Sequence, residues 1–205
     1  MKLVYESLNE FGKGKDPLST LNIGREGSIR KFFRDLDVPD EDYNITENAV
    51  IFGNLNLSNT DITEFPDENY IIDDLILEDC ADLIKLPNDL QVSGWICLTG
   101  CIKLTEIPEE LKVHTDLNLD ECINLTKLPE NLTVGGWLDI RNCQALTELP
   151  KGLKIKKTLV LKWTNITELP EDLIVEGLII IDPFQYQLKK WLVQSKFGNK
   201  VEIRE

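Results

Sequence analysis

The feature that most constrains this chain is a period. Prolines stand at Pro66, Pro87, Pro108, Pro129, Pro150 and Pro170, in steps of 21, 21, 21, 21 and 20 residues. Around them a unit recurs: LILEDCADLIKLP (75–87), ICLTGCIKLTEIP (96–108), LNLDECINLTKLP (117–129) and LDIRNCQALTELP (138–150). Two copies, LNLSNTDITEFP (55–66) and LVLKWTNITELP (159–170), are one residue shorter and carry Thr60 and Thr164 in place of the cysteine. A last copy begins at Ile179 and Ile181 and breaks off at Asp182-Pro183. A repeat of this length is one structural unit per turn, and a single unit cannot bury its own apolar side, so successive turns must share a core. In each L-x-L triplet, strand alternation sends the leucines inward and the flanking and middle residues outward. The expected fold is a repeat solenoid with short parallel strands. At roughly 4.8 Å per strand, seven turns would stack to a length on the order of 30 Å. The L-P-x-x-L segment is expected to return along the other, mostly irregular side, where the missing proline N–H does no harm.

The unit L-x-L-x-x-C-x-x-L-T-x-L-P resembles the leucine-rich repeat, in its C-x-x-L form and its shorter T-x-I form, over roughly residues 53–182. The resemblance implies a leucine-rich-repeat solenoid, curved, with one short parallel strand per turn on the concave side and a mostly irregular convex side. A second likeness covers about the first 66 residues. YESLNEF, then DPLSTLNIGREGSIRKFF, then NLNLSNTDITEFP resemble small leucine-rich-repeat proteins of tailed bacteriophages. That likeness implies a viral product acting in a bacterial cell or carried in a virion.

A solenoid has two ends, and both must be covered. Residues 1–52 read as an N-terminal helical cap. Asp16-Pro17 is a helix-start signal, and Ile29, Phe32, Phe33 and Leu36 share one helical face. Residues 53–182 form the solenoid. Residues 183–205 read as a C-terminal cap, started by Asp182-Pro183, with Phe184, Leu188, Trp191 and Leu192 as its apolar stripe. Gly198 ends that helix, and Val201 and Ile203 alternate as a short strand.

Cys80, Cys101, Cys122 and Cys143 recur 21 apart and should form a buried ladder of reduced thiols. Tetrahedral zinc needs converging ligands, which a ladder spreads along a line. No metal and no cofactor are expected, and the location is expected to be cytoplasmic. Cys97 differs, since it falls mid-strand on the outward face and is expected to be accessible. His114, the one histidine, reads as a solvated loop residue. No phosphate loop, metal helix or nucleophile elbow is present, so no catalytic residues are assigned and no enzyme is expected. The start MKLVYESLNEFGKGK has no apolar core of a signal peptide, and no run is long enough to span a membrane.

Function is sought on the outward strand positions. Turn by turn they read Asp74, Ile76, Glu78; Trp95, Cys97, Thr99; Asp116, Asn118, Asp120; Trp137, Asp139, Arg141; Thr158, Val160, Lys162; Leu178, Ile180, Asp182. Trp95 and Trp137 share a column with Asp116 between them, and outward tryptophan is enriched where proteins bind proteins. The rings could instead fold over the strand edge and pack on neighbouring turns; the column of tryptophan and acid favours a binding face. The leading expectation is a non-enzymatic protein-interaction solenoid, with Trp95 and Trp137 as anchors. Asp74, Glu78, Asp116, Asp120, Asp139 and Arg141 would surround them and select a basic protein partner; a monomer is favoured. The alternatives are an acidic mimic of nucleic acid that inhibits a host DNA- or RNA-binding enzyme, and a structural virion component.

Charge sharpens the partner. The formal net charge is −14, which disfavours general binding to phosphate backbones. Residues 1–150 hold 12 basic and 29 acidic side chains, whereas residues 151–205 hold 10 and 7. The basic surplus centres on one turn, so Lys154, Lys156, Lys157 and Lys162 form an expected secondary basic patch.

Overall fold

A computed structural model of the protein describes residues 23–204; the helix start expected at Asp16-Pro17 lies outside them. The chain winds into a solenoid of stacked parallel strands. Its strands are β1 (Tyr43–Ile45), β2 (Val50–Phe52), β3 (Leu55–Asn56), β4 (Tyr70–Ile72), β5 (Leu75–Ile76), β6 (Leu90–Val92), β7 (Ile96–Cys97) and β8 (Lys112–Val113). They continue as β9 (Leu117–Asn118), β10 (Thr133–Val134), β11 (Leu138–Asp139), β12 (Lys154–Ile155), β13 (Leu159–Val160), β14 (Ile174–Val175), β15 (Ile179–Ile181) and β16 (Val201–Ile203).

Each turn supplies two strands, not the one expected. A first sheet runs β1-β2-β4-β6-β8-β10-β12-β14, and a second runs β16-β15-β13-β11-β9-β7-β5-β3. All neighbours are parallel except β1 on β2. The side expected to be irregular is therefore half sheet. The cause lies in the x-x-L-x-V segment that follows each proline. Leu90 and Val92 point inward around exposed Gln91, and Leu132 and Val134 do the same around exposed Thr133. That is the same period-2 pattern as L-x-L, and it pairs with its counterpart in the next turn.

The core runs between the sheets. Leu75, Leu77, Leu117, Leu119, Leu138, Ile140, Leu159 and Leu161 of the second sheet face Tyr70, Val92, Val134 and Ile155 of the first, all within one continuous buried cluster. The third side of each turn carries the cysteine ladder. Each thiol donates to a carbonyl of the preceding turn: Cys80 to Leu57 at 3.0 Å, Cys101 to Leu77 at 3.2 Å, Cys122 to Leu98 and Cys143 to Leu119 at 3.1 Å. All five cysteines are free, and all are buried. Thr60 and Thr164 keep the role within their own turns, donating to Leu57 and Leu161 at 2.8 Å.

Burial pushes the Cys101 and Cys143 thiols up to about 12 from the ordinary 9.0, and pushes Cys80 and Cys122 upward as well. The folded ladder thus holds its protons more tightly than the unfolded chain does. Its contribution to stability is complete below about pH 9 and is lost as pH rises through 9 toward 12. Denaturant midpoints should accordingly fall over that window in the wild type, and fall less in Cys122→Ala once its own lower starting stability is subtracted. At pH 8 a thiol reagent should titrate these cysteines only after unfolding.

At one end, helix α1 (Ile23–Asp35) lays Ile29 and Phe33 into the core, with Phe32 and Leu36 half-buried beside them. Phe33 is fully buried among aromatic rings, 4.9 Å from Phe52 and 5.1 Å from Tyr43 between centroids. Asp37, with φ of 59°, turns the chain out of the helix toward β1.

The other end departs from expectation in three ways. Helix α2 spans Tyr186–Gln194 and does not start at Asp182-Pro183. Phe184 is 72% exposed and stands outside the apolar stripe that Leu188 and Leu192 supply. The helix ends at Gln194, and Gly198 begins a short 3-10 turn leading into β16. The cause is Asp182, whose carboxylate is 1% exposed. One oxygen accepts the Trp163 N–H at 2.7 Å, and the other accepts the Phe184 N–H at 2.8 Å. In the preceding turns, the residue equivalent to Trp163 donates to a main-chain carbonyl of the next turn, as Asn142 does to Lys162 and Glu121 to Arg141. Gln185 completes the substitution. Its Nε2–H donates to Leu161 O at 2.8 Å, across the 24-residue span used by Cys101, Cys122 and Cys143. Lys196 and Lys200 donate to Glu171 O and Val175 O at the end of the first sheet.

Candidate functional site

The outer face of the second sheet carries the residues the sequence singled out, in three columns fixed by the strand register. The first column begins Asp74, Trp95, Asp116, Trp137. Trp95 and Trp137 are 36% and 51% exposed, while the strand leucines behind them are fully buried. Their backbone is held by the acid one turn before each: Asp74 Oδ1 accepts the Trp95 N–H at 2.9 Å, and Asp116 Oδ1 accepts the Trp137 N–H at 2.7 Å. Glycine makes this approach feasible. A Cβ at Gly94 would fall 1.9 Å from Asp74 Oδ1, and one at Gly136 would fall 1.8 Å from Asp116 Oδ1. The Gly-Trp pairs at 94–95 and 136–137 and the acids one turn earlier are therefore one device used twice.

The second and third columns hold a charged cluster. Arg141 Nε lies 3.0 Å from both Asp139 oxygens, and its Nη2 lies 2.8 Å from Asp139 Oδ2 and 3.2 Å from Asp120 Oδ2. Asp120 Oδ1 also accepts from Asn142 at 2.9 Å. The Asp139 hydrogen bonds raise the Arg141 guanidinium above its ordinary value, against a smaller opposing effect of burial. Asp139 is buried beneath it. Glu78 remains an exposed carboxylate. Cys97 differs from expectation: it is 5% exposed. It faces outward between buried Ile96 and Leu98, but its small side chain sits between register neighbours Ile76 and Asn118, with Thr99 Oγ1 3.5 Å from its sulfur.

The four lysines of the expected basic patch lie on different parts of the turn, and two of them, Lys157 and Lys162, line one groove. Lys154 points out from the first sheet, Lys156 and Lys157 lie in the connection between sheets, and Lys162 belongs to the second-sheet face. Lys162 is 8% exposed and its ammonium sits 4.3 Å from the Trp163 ring centroid. Lys157, Lys162, Arg141 and Arg204 instead share a groove of about 400 Å³ at the C-terminal end of this face, with Trp137, Thr158, Val160 and Ile180. A larger recess of about 510 Å³ lies on the first sheet, beside Glu109, Glu110, Glu130 and His114. It contains no Phe, Tyr or Trp, and His114 Nδ1 is 3.1 Å from Val92 O, so its imidazole serves a turn.

Trp163 is a surface residue whose placement shows in the sequence only through its column. Asn59, Asp79, Gly100, Glu121 and Asn142 occupy the same repeat position, all with φ between 56° and 73°. Trp163 adopts φ of 57° there while 45% exposed. A bulky side chain in this left-handed region is strained. Trp163→Asn should therefore raise stability by about 1 kcal/mol, read as a higher thermal midpoint. Exposed Phe184 and Tyr186 extend the aromatic surface at this end, and Asp182 ties the Phe184 and Trp163 backbones together.

Among the described residues no helix is long and apolar enough to cross a membrane. Comparison with protein-family models finds no match, and none is found among curated proteins or solved structures.

Proposed function

We propose that this protein is a non-enzymatic protein-binding solenoid of the leucine-rich-repeat type, closed by a helical cap at each end. The second sheet is its concave, partner-facing side. One observation carries the reading: Trp95 and Trp137 are exposed on a sheet face while their backbone N–H groups are fixed by Asp74 and Asp116. Large rigid rings on a preorganised backbone bind with little loss of conformational freedom. Carboxylates spent on the backbone still carry charge, so Asp74, Glu78, Asp116 and Asp120 leave the early turns attractive to a basic partner segment, chiefly through on-rate and specificity.

Five free, buried thiols suit a reducing compartment, which supports action in the cytoplasm. The likeness of the first 66 residues to tailed-phage leucine-rich-repeat proteins points to the cytoplasm of a bacterial host, with a host or phage protein as partner.

The test is Trp95→Ala combined with Trp137→Ala, compared with the parent in affinity capture and quantitative mass spectrometry. A buried anchor tryptophan contributes about 2 kcal/mol or more, so species captured by the parent should fall at least tenfold. Equal capture by a double variant with an unchanged thermal midpoint overturns the reading.

A further inference from the structure

We infer that the groove across the last turns of the second sheet is a distinct subsite, which takes an apolar side chain flanked by carboxylates in an acidic linear segment of a protein. The inference rests on the reading of this face as a binding surface. Its floor is aliphatic: Val160 and Ile180 are register neighbours on β13 and β15, and the half-exposed Trp137 indole forms one wall. Its volume of about 400 Å³ falls at the small end of the ordinary range for binding pockets, about 300–1,000 Å³.

Cations surround that floor. Arg141 is clamped by Asp139, and Arg204 by Glu202 at 2.8 and 2.9 Å. Each guanidinium is thereby oriented while keeping further N–H donors for a ligand carboxylate. Lys157 forms no ion pair among the described residues. Neutralisation by Asp139, Asp120 and Glu202 makes the groove moderately rather than strongly cationic. That matches a few carboxylates better than a phosphate chain. Asp116 and Asp120 both belong to the turn of β9, one turn before Trp137 and Arg141, and would repel a long polyanion. The floor also lacks the succession of aromatic platforms that single-stranded nucleic acid uses. The face is thus divided, with acid around Trp95 and a basic, apolar-floored groove beyond Trp137.

The experiment measures fluorescence anisotropy of labelled Glu-Glu-Leu-Glu-Glu, Glu-Glu-Gly-Glu-Glu and Lys-Lys-Leu-Lys-Lys peptides, and of a short oligothymidylate, with the whole protein. The acidic leucine peptide should bind, and its glycine counterpart should be weaker by about tenfold, as expected for one buried leucine. The lysine peptide should show no saturable binding. Val160→Glu should abolish binding through the floor. Lys157→Glu, at an exposed position with no ion pair among the described residues, should weaken it about fivefold with an unchanged melting curve. Trp95→Ala should leave peptide affinity unaltered, which separates this subsite from the tryptophan-anchor reading. Lost capture in the tryptophan double variant with no peptide binding by the parent overturns the subsite alone. Equal binding of the acidic and lysine peptides, undiminished binding by a folded Val160→Glu or Lys157→Glu protein, or preference for the oligothymidylate also overturns it.

Discussion

Phe33→Ala should lower stability by about 4 kcal/mol, among the largest losses available to a single side chain in this protein. Phe33 is fully buried and meets Phe32, Tyr43, Phe52 and Tyr70 at centroid distances of 5.1, 5.1, 4.9 and 6.3 Å. Removing it takes away the principal contact by which α1 holds the first turns, and the surrounding rings cannot all close on the space. Because each turn touches chiefly its neighbours, the damage should be graded along the stack. Hydrogen exchange is the discriminating measurement. Amides of β2 to β5 should lose protection first, while those of β9 to β13 exchange nearly as in the parent. Uniform loss of protection along the stack would mean that the solenoid unfolds as one unit, contrary to this account.

Asp182→Ala should cost about 3 kcal/mol, measured by denaturant unfolding. Two N–H groups, of Trp163 and Phe184, lose the buried carboxylate that accepts them. Hydrogen bonds to a charged group contribute about 1.5–3 kcal/mol each, and partial rearrangement recovers some of the sum. Asp182→Asn keeps one acceptor oxygen and should cost about half as much. The order parent, Asn, Ala is the outcome to check, together with faster exchange of the Trp163 amide. Equal stability of all three would show that the backbone at this end finds other partners.

The period made the solenoid legible from sequence, because the L-x-L triplet and the recurrent cysteine each report a position that burial dictates. The first sheet is not expected from the sequence because x-x-L-x-V, although it has the same period-2 pattern as L-x-L, follows a proline that reads as the start of a loop. The ends were read less well. Asp182-Pro183 carries a helix-start signal, yet the carboxylate is claimed by the Trp163 and Phe184 amides, a tertiary demand that local sequence does not record. At the site, the tryptophan column was legible through strand alternation. The hydrogen bonds from Trp95 and Trp137 to Asp74 and Asp116 were not, because they pair residues 21 apart. The burial of Cys97 and the separation of Lys154 from Lys157 and Lys162 have a common reason. Alternation gives the side of the sheet, but not how neighbouring turns cover a small side chain or which lysines pass round a corner.

Asp182 and Gln185 have a consequence for how such a chain changes length. In their places a further turn would offer a main-chain carbonyl and a thiol, and these two side chains imitate both. The number of turns is accordingly set by where this terminator stands, since any of the 21-residue units could be duplicated without disturbing either end. For a lineage carrying the gene, reach is then adjustable in increments of one strand spacing, roughly 4.8 Å, by unequal recombination alone. Retaining the acid and the amide at the last position is the one condition on that growth.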